Sequence, residues 1–146
     1  MSYNVLLIDY DPKSIERIRK LLVSVSAHVV VAHGGRSGLG EYHRSRPDLT
    51  IVQDLIPGMH GFDVCREIKK SDDGKDHPVV LLCAPNSHAV LLDTRCDAYL
   101  KKPYRDEDLL KLLKGLLPGL EAPGPAAPGS FEAEVDERLD ALILSA

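Results

Sequence analysis

Few side chains in this sequence stand where they could do chemistry, and those few share one kind of position. Asp9-Tyr10 follows the apolar run NVLLI, Gln53-Asp54 closes LTIVQ, Cys83 closes VVLLC, and Lys101-Lys102 precedes Pro103. A carboxylate, an amide, a thiol and an amine at the ends of short apolar runs can pair charge or hold an ion if the fold gathers those ends. Other chemistries lack their residues. The six histidines show no pairing at metal-ligand spacing. Cys65, Cys83 and Cys96 form no CxxC and read as small, buried, unpaired apolar residues in a reducing cytoplasm. No glycine-rich phosphate loop follows the first run, and no nucleophile–base pair can be placed, so an enzyme is not expected.

The elements that must position these residues alternate along the chain. Asn4–Ile8 reads as a strand buried on both faces, and Asp11-Pro12 as a helix cap and first turn. Ile15, Ile18, Leu21, Leu22 and Val25 then recur at helical spacing. His28–Ala32 is a second strand, and 36–44 a helix weakened by Gly38 and Gly40. Leu49–Gln53 is a third strand, 62–69 a helix, Val79–Cys83 a fourth strand, 87–94 a short helix, 98–100 a fifth strand and 106–117 a leucine-rich helix. Five β-α units in succession predict an α/β fold, a doubly wound five-stranded parallel sheet with helices on both faces. Its site is expected at the carboxyl ends of the strands, where the strand order switches.

The chain has 146 residues, 44% of them hydrophobic and 27% charged, which suits one globular domain. No apolar run reaches the roughly 18–20 residues of a bilayer span, and an acid at position 9 argues against a signal peptide, so a cytoplasmic location without membrane insertion is expected. The net charge of −4 argues against bulk binding to nucleic acid. Composition changes at Pro118, where PGLEAPGPAAPG reads as a semi-stiff linker. The expected organisation is therefore a domain over 1–117, a linker over 118–129 and a short acidic amphipathic helix over 130–146.

Four motifs carry a family resemblance. VLLIDYDP at 5–12, PDLTIVQDLIPGMHG at 47–61, PVVLLCA at 78–84 and DAYLKKP at 97–103 resemble the response-regulator receiver domains of bacterial two-component signalling, which have the flavodoxin-like (β/α)5 fold. In that family two acids after the first strand hold Mg²⁺, an aspartate ending the third strand accepts a phosphoryl group, a Thr or Ser ends the fourth, and a Lys before Pro ends the fifth. The charge logic is direct: an acyl phosphate adds about two negative charges to a carboxylate pocket, and a divalent cation and a lysine offset them.

Laid on this chain, the pattern is incomplete. The first acid is Asp9, but the second falls on Tyr10 and the phosphoacceptor on Gln53. The Thr/Ser position holds Cys83, a weak donor, while Lys102 with Pro103 and the switch aromatic, Tyr99, are kept. The resemblance thus implies a degenerate receiver without a phosphoacceptor and without a bound cofactor, Asp9 being the residual metal candidate. Asp9 is expected to pair with Lys102, and Gln53 to accept from Lys102 while donating to Asp9 or Cys83. The Lys102–Pro103 peptide is expected to be cis, as in the family.

Asp54 is the alternative phosphoacceptor, and with it Mg²⁺ would be the alternative cofactor. Side chains alternate along a strand, so if Gln53 faces the pocket, Asp54 is expected to turn away as a solvated or capping acid. The connection from Cys83 to Lys102 is shorter than is usual in receivers. The fourth helix is therefore expected to be short, the usual dimer face to be altered, and the protein to be a monomer or weak dimer. In the tail, Phe131, Val135, Leu139 and Leu142 form one apolar stripe. It suits docking on another signalling or scaffold protein, docking back on its own domain, or a segment that is disordered in isolation. The function expected is a phosphorylation-independent interaction module; the alternative is a phosphorelay receiver using Asp54.

Overall fold

Short β-branched and leucine-rich runs punctuated by Pro, Gly and Asp form the strands here, and amphipathic stretches between them form the helices. The computed structural model describes residues 3–85 and 96–120. The expected helix at 87–94 and the tail beyond residue 120, with Phe131, Val135, Leu139 and Leu142, lie outside the described residues.

The strands are β1 (Asn4–Ile8), β2 (His28–Ala32), β3 (Leu49–Gln53), β4 (Val79–Cys83) and β5 (Ala98–Lys101). All pair in parallel, in the order β2-β1-β3-β4-β5. This is the flavodoxin-like order, with its switch point between β1 and β3. The central strands β3 and β4 are buried along their whole length, which is why they read as continuous apolar runs.

Four helices pack on the sheet among the described residues: α1 (Pro12–Ser24), α2 (Gly35–Ser45), α3 (Gly61–Lys70) and α4 (Asp106–Leu116). Alternation along β1 divides the core. Val5 and Leu7 face α1 and α4, with Ile18, Leu22, Leu109 and Leu113. Leu6 and Ile8 face α2 and α3, with Tyr42, Val64 and Ile68. The Asp11 side chain caps α1 by accepting from the Lys13 N–H at 3.3 Å, as the Asp-Pro pair predicts. Gly38 has a packing reason for its place inside α2: a Cβ there would collide with the Ile8 side chain, so the glycine lets the helix close on β1.

One expectation from the sequence is corrected here. Cys65 on α3 and Cys96, just before β5, form a disulfide, with their Cα atoms 6.0 Å apart. The two lie 31 residues apart in the chain, and only the packing of α3 over β4 and β5 brings them together. Cys83 is buried and unpaired, as expected.

Candidate functional site

The switch in strand order leaves a cleft of about 350 Å³ at the carboxyl ends of the strands. Asp9, Tyr10 and Asp11 enter from the loop after β1, Gln53 to Leu55 from the end of β3, Ala84 from β4 and Lys102 from β5. The fold therefore gathers Asp9, Tyr10, Gln53 and Lys102, the positions at which the resemblance places the site.

Asp9 is only 1% exposed, yet neither of its oxygens is bare. One accepts the backbone N–H of Asp11 at 3.1 Å, and the other accepts Nε2 of Gln53 at 3.1 Å. A carboxylate can only accept, so the amide nitrogen of Gln53 must face it. The same nitrogen reaches the Ser14 hydroxyl at 3.2 Å. The sequence pattern does not single out Ser14, although it lies in the first turn of α1, three residues after the Asp11 cap. Lys102 lines the cleft, but it makes no ion pair with Asp9 and no hydrogen bond to Gln53 among the described residues. Both expected contacts are thus replaced: amide N–H donors, not an ammonium, hold the Asp9 oxygens. The Lys102 backbone N–H bonds the Cys83 carbonyl at 2.9 Å, and the Lys102–Pro103 peptide is cis, as expected.

Asp54 departs from the strand-alternation argument. It is 4% exposed and lines the same cleft as Gln53. Alternation applies within a strand, and β3 ends at Gln53; the chain bends at Asp54, whose backbone N–H bonds Leu82 O at 2.8 Å and whose carbonyl accepts from Gly61 at 2.8 Å. It is neither solvated nor a helix cap. Tyr10, by contrast, is 53% exposed and stands on the rim beside exposed Leu55.

Cys83 lies behind the cleft, not on its wall. Its thiol points at the Leu81 carbonyl at 3.9 Å and packs in the apolar cluster that holds Cys65. Burial, and then the nearby Asp54 carboxylate, push the thiol's pKa up, so it stays neutral and is a poor nucleophile. Tyr99 is half-buried against the same cluster. No three His, Cys, Asp or Glu side chains gather as metal ligands among the described residues. No described helix is long and apolar enough to cross a membrane.

Comparison with known proteins agrees with this architecture. The sequence profile of the response regulator receiver domain matches residues 5–114. The chain belongs to the response regulator receiver family. It is 32% identical over 120 residues to the response regulator MprA of Mycobacterium bovis, covering 80% of this chain and 51% of that protein. This receiver thus spans about half the length of the curated relatives it matches. The receiver domain of a signal transduction histidine kinase from Syntrophus aciditrophicus superposes with a TM-score of 0.76 at 27% identity, covering 84% of this chain and 96% of that one. The receiver domain of the sensor histidine kinase PA1611 from Pseudomonas aeruginosa, solved with magnesium in its active-site cleft, superposes at 0.69 with 22% identity, covering 80% and 98%.

Proposed function

We propose that this receiver works without phosphorylation, as a protein-interaction module in two-component signalling. The observation that carries the reading is the 3.1 Å bond from Gln53 Nε2 to Asp9 Oδ2. In the family pattern a carboxylate stands at the Gln53 position and a cation sits between it and Asp9. Here an amide donates directly to Asp9, and the N–H groups of Gln53 and Asp11 supply the positive ends that an ion would have supplied.

The donor set does not fit Mg²⁺. A hard divalent ion takes about six oxygens at short distance. The position of the second acid is Tyr10, turned to the rim, and Gln53 presents a nitrogen toward Asp9. Lys102 and Pro103 then serve to shape the cleft wall. No catalysis is assigned to the site, and its place of action on this reading is the cytoplasm.

A second reading has one observation in its favour. Asp54 is buried at the cleft, and its carboxylate makes no hydrogen bond or ion pair among the described residues. As a phosphoacceptor it would make this a working phosphorelay receiver. Its thin exposure, and Tyr10 at the position of the second acid, weigh against that role. Incubating the full chain with acetyl phosphate and Mg²⁺ and weighing it intact separates the readings: an unchanged mass is expected, and a stoichiometric phosphoryl adduct on Asp54 sinks the first reading.

The tail supplies the proposed contact with a partner. The Phe131, Val135, Leu139 and Leu142 stripe is the recognition segment, and the partner is another signalling or scaffold protein rather than nucleic acid. The protein itself is a monomer or weak dimer. Leu139→Glu is expected to leave the melting temperature unchanged; a lower melting temperature would mean that the stripe packs on its own receiver instead.

A further inference from the structure

We propose that Cys65 and Cys96 form a reversible disulfide, a redox modification site that fastens the entry to β5 onto α3. The proposal stands apart from the cleft and holds whether or not the cleft accepts a phosphoryl group. The two cysteines are bonded across the interface between α3 and the entry to β5. Their exposures differ in a way that orders the chemistry. Cys65 is fully buried among Val64, Ile68 and Leu81, whereas Cys96 is half-buried at the edge of that cluster.

A second link runs parallel to the disulfide. Lys69 follows Cys65 by one helical turn, and Asp97 follows Cys96 directly, and these two pair at 2.7 Å with the lysine almost wholly buried. Asp97 also accepts the Val79 N–H at 2.8 Å and donates its own N–H to Val79 O at 3.0 Å. The entry to β5 therefore stays on β4 and α3 when the sulfur bond opens. Reduction frees the Cys96 side chain and leaves the sheet closed. A link with such a back-up can open and close without unfolding the domain.

Only one of the three cysteine pairings is available. Cys83 is buried, its thiol is kept neutral, and it faces the Leu81 carbonyl, so it does not compete. The oxidant is a low-molecular-weight disulfide such as oxidised glutathione. The thiolate of Cys96, the reachable one, attacks a sulfur of the oxidant, forming a mixed disulfide and expelling one thiol. The Cys65 thiol gives up its proton and displaces the second thiol from Cys96. One disulfide is reduced to two thiols, and two protein thiols are oxidised to one disulfide.

The test uses the full chain. After incubation with oxidised glutathione, unfolding and alkylation with N-ethylmaleimide, intact mass should show one alkyl group, on Cys83; after dithiothreitol it should show three. Circular dichroism of the reduced protein should remain that of a folded domain. Dithiothreitol should lower the melting temperature of the wild type by about 10 °C and leave that of Cys96→Ser unmoved. Three alkyl groups after oxidation, a bond mapped to Cys83, or a melting temperature insensitive to reduction overturns the proposal. So does unfolding on reduction, which would make the bond a permanent staple.

Discussion

Nε2 of His77 lies 2.8 Å from Oγ1 of Thr50, at the end of the sheet opposite the cleft. The ring packs edge-on to Tyr42 with centroids 4.8 Å apart, and the backbone carbonyl of His77 accepts from the Lys69 ammonium. Burial, and then the Lys69 charge, lower its pKa from 6.5 to about 4, against the weaker pull of Asp97, Asp48 and Asp73.

That shift predicts a pH dependence of stability. Above about pH 6.5 the ring is neutral in the folded and the unfolded chain alike and contributes no slope. Between 6.5 and about 4 the unfolded chain binds a proton that the folded chain refuses, so stability falls as pH falls, by up to about 3 kcal/mol in all. Urea denaturation of the wild type and of His77→Gln at several pH values from 7 to 4.5 checks this. The variant should show a shallower loss on acidification, since carboxylates then titrate alone. Parallel curves would mean that His77 carries its proton in the folded state.

Lys69 is the buried charge on which that end of the sheet depends. Its amine meets Asp97 at 2.7 Å and the carbonyls of His77 and Lys75. Asp97 keeps a third of its side-chain surface in water, and Lys69 keeps almost none. Removing the partner of the better-buried charge is the more damaging change. Asp97→Asn should therefore cost about 3 kcal/mol, and Lys69→Met, which fills the same space without a charge, about 1–2 kcal/mol. Denaturant midpoints of the two variants give the order; the reverse order would show that Asp97 is the charge left stranded.

Much of the fold was legible because it rests on local pattern. The strands at 4–8, 28–32, 49–53 and 79–83 are apolar runs bounded by turn residues, and they appear where that pattern puts them. The gathering of Asp9, Gln53 and Lys102 followed from the sheet order. What stayed hidden depends on distant pairs or on chain ends. Cys65 meets Cys96, and Lys69 meets Asp97, only after β4 and β5 have docked. Asp54 was misjudged because strand alternation was extended one residue past the end of β3. The Asp9–Lys102 pair was expected from charge alone, and the nearer N–H groups of Gln53 and Asp11 take that place.

The glycine that closes the PGMHG turn sits against the backbone at the end of β3. A Cβ on Gly61 would overlap the carbonyl of Gln53 and press on the Asp54 Cα, both of them backbone. Backbone cannot swing aside as a flexible side chain does. Gly61→Ala should cost about 1–3 kcal/mol by overpacking. Gly40→Ala is the control: it meets nothing within 4 Å and removes a poor helix former, so it should stabilise by a few tenths to about 1 kcal/mol. Thermal melts of the pair measure both, and equal effects would show that the loop after β3 yields.

Rebuilding the acceptor site tests why the cleft is silent. Gln53→Asp by itself places a second buried carboxylate beside Asp9 and removes the amide that bonds it. Two like charges at that spacing oppose each other, so the single variant should be less stable than the wild type at neutral pH and should recover on acidification. It should still take no phosphoryl group, because Tyr10 supplies no second acid for the ion. Gln53→Asp with Tyr10→Asp restores both carboxylates, and with Asp9 they give a divalent cation three acidic side chains; loops and water complete a shell of about six oxygens. Lys102 already lines the cleft and is free to meet the new charge. Mg²⁺ should therefore raise the melting temperature of the double variant and leave the wild type unmoved. With acetyl phosphate, intact mass should show incorporation in the double variant alone. Uptake by the single variant would show that Tyr10 does not exclude the ion.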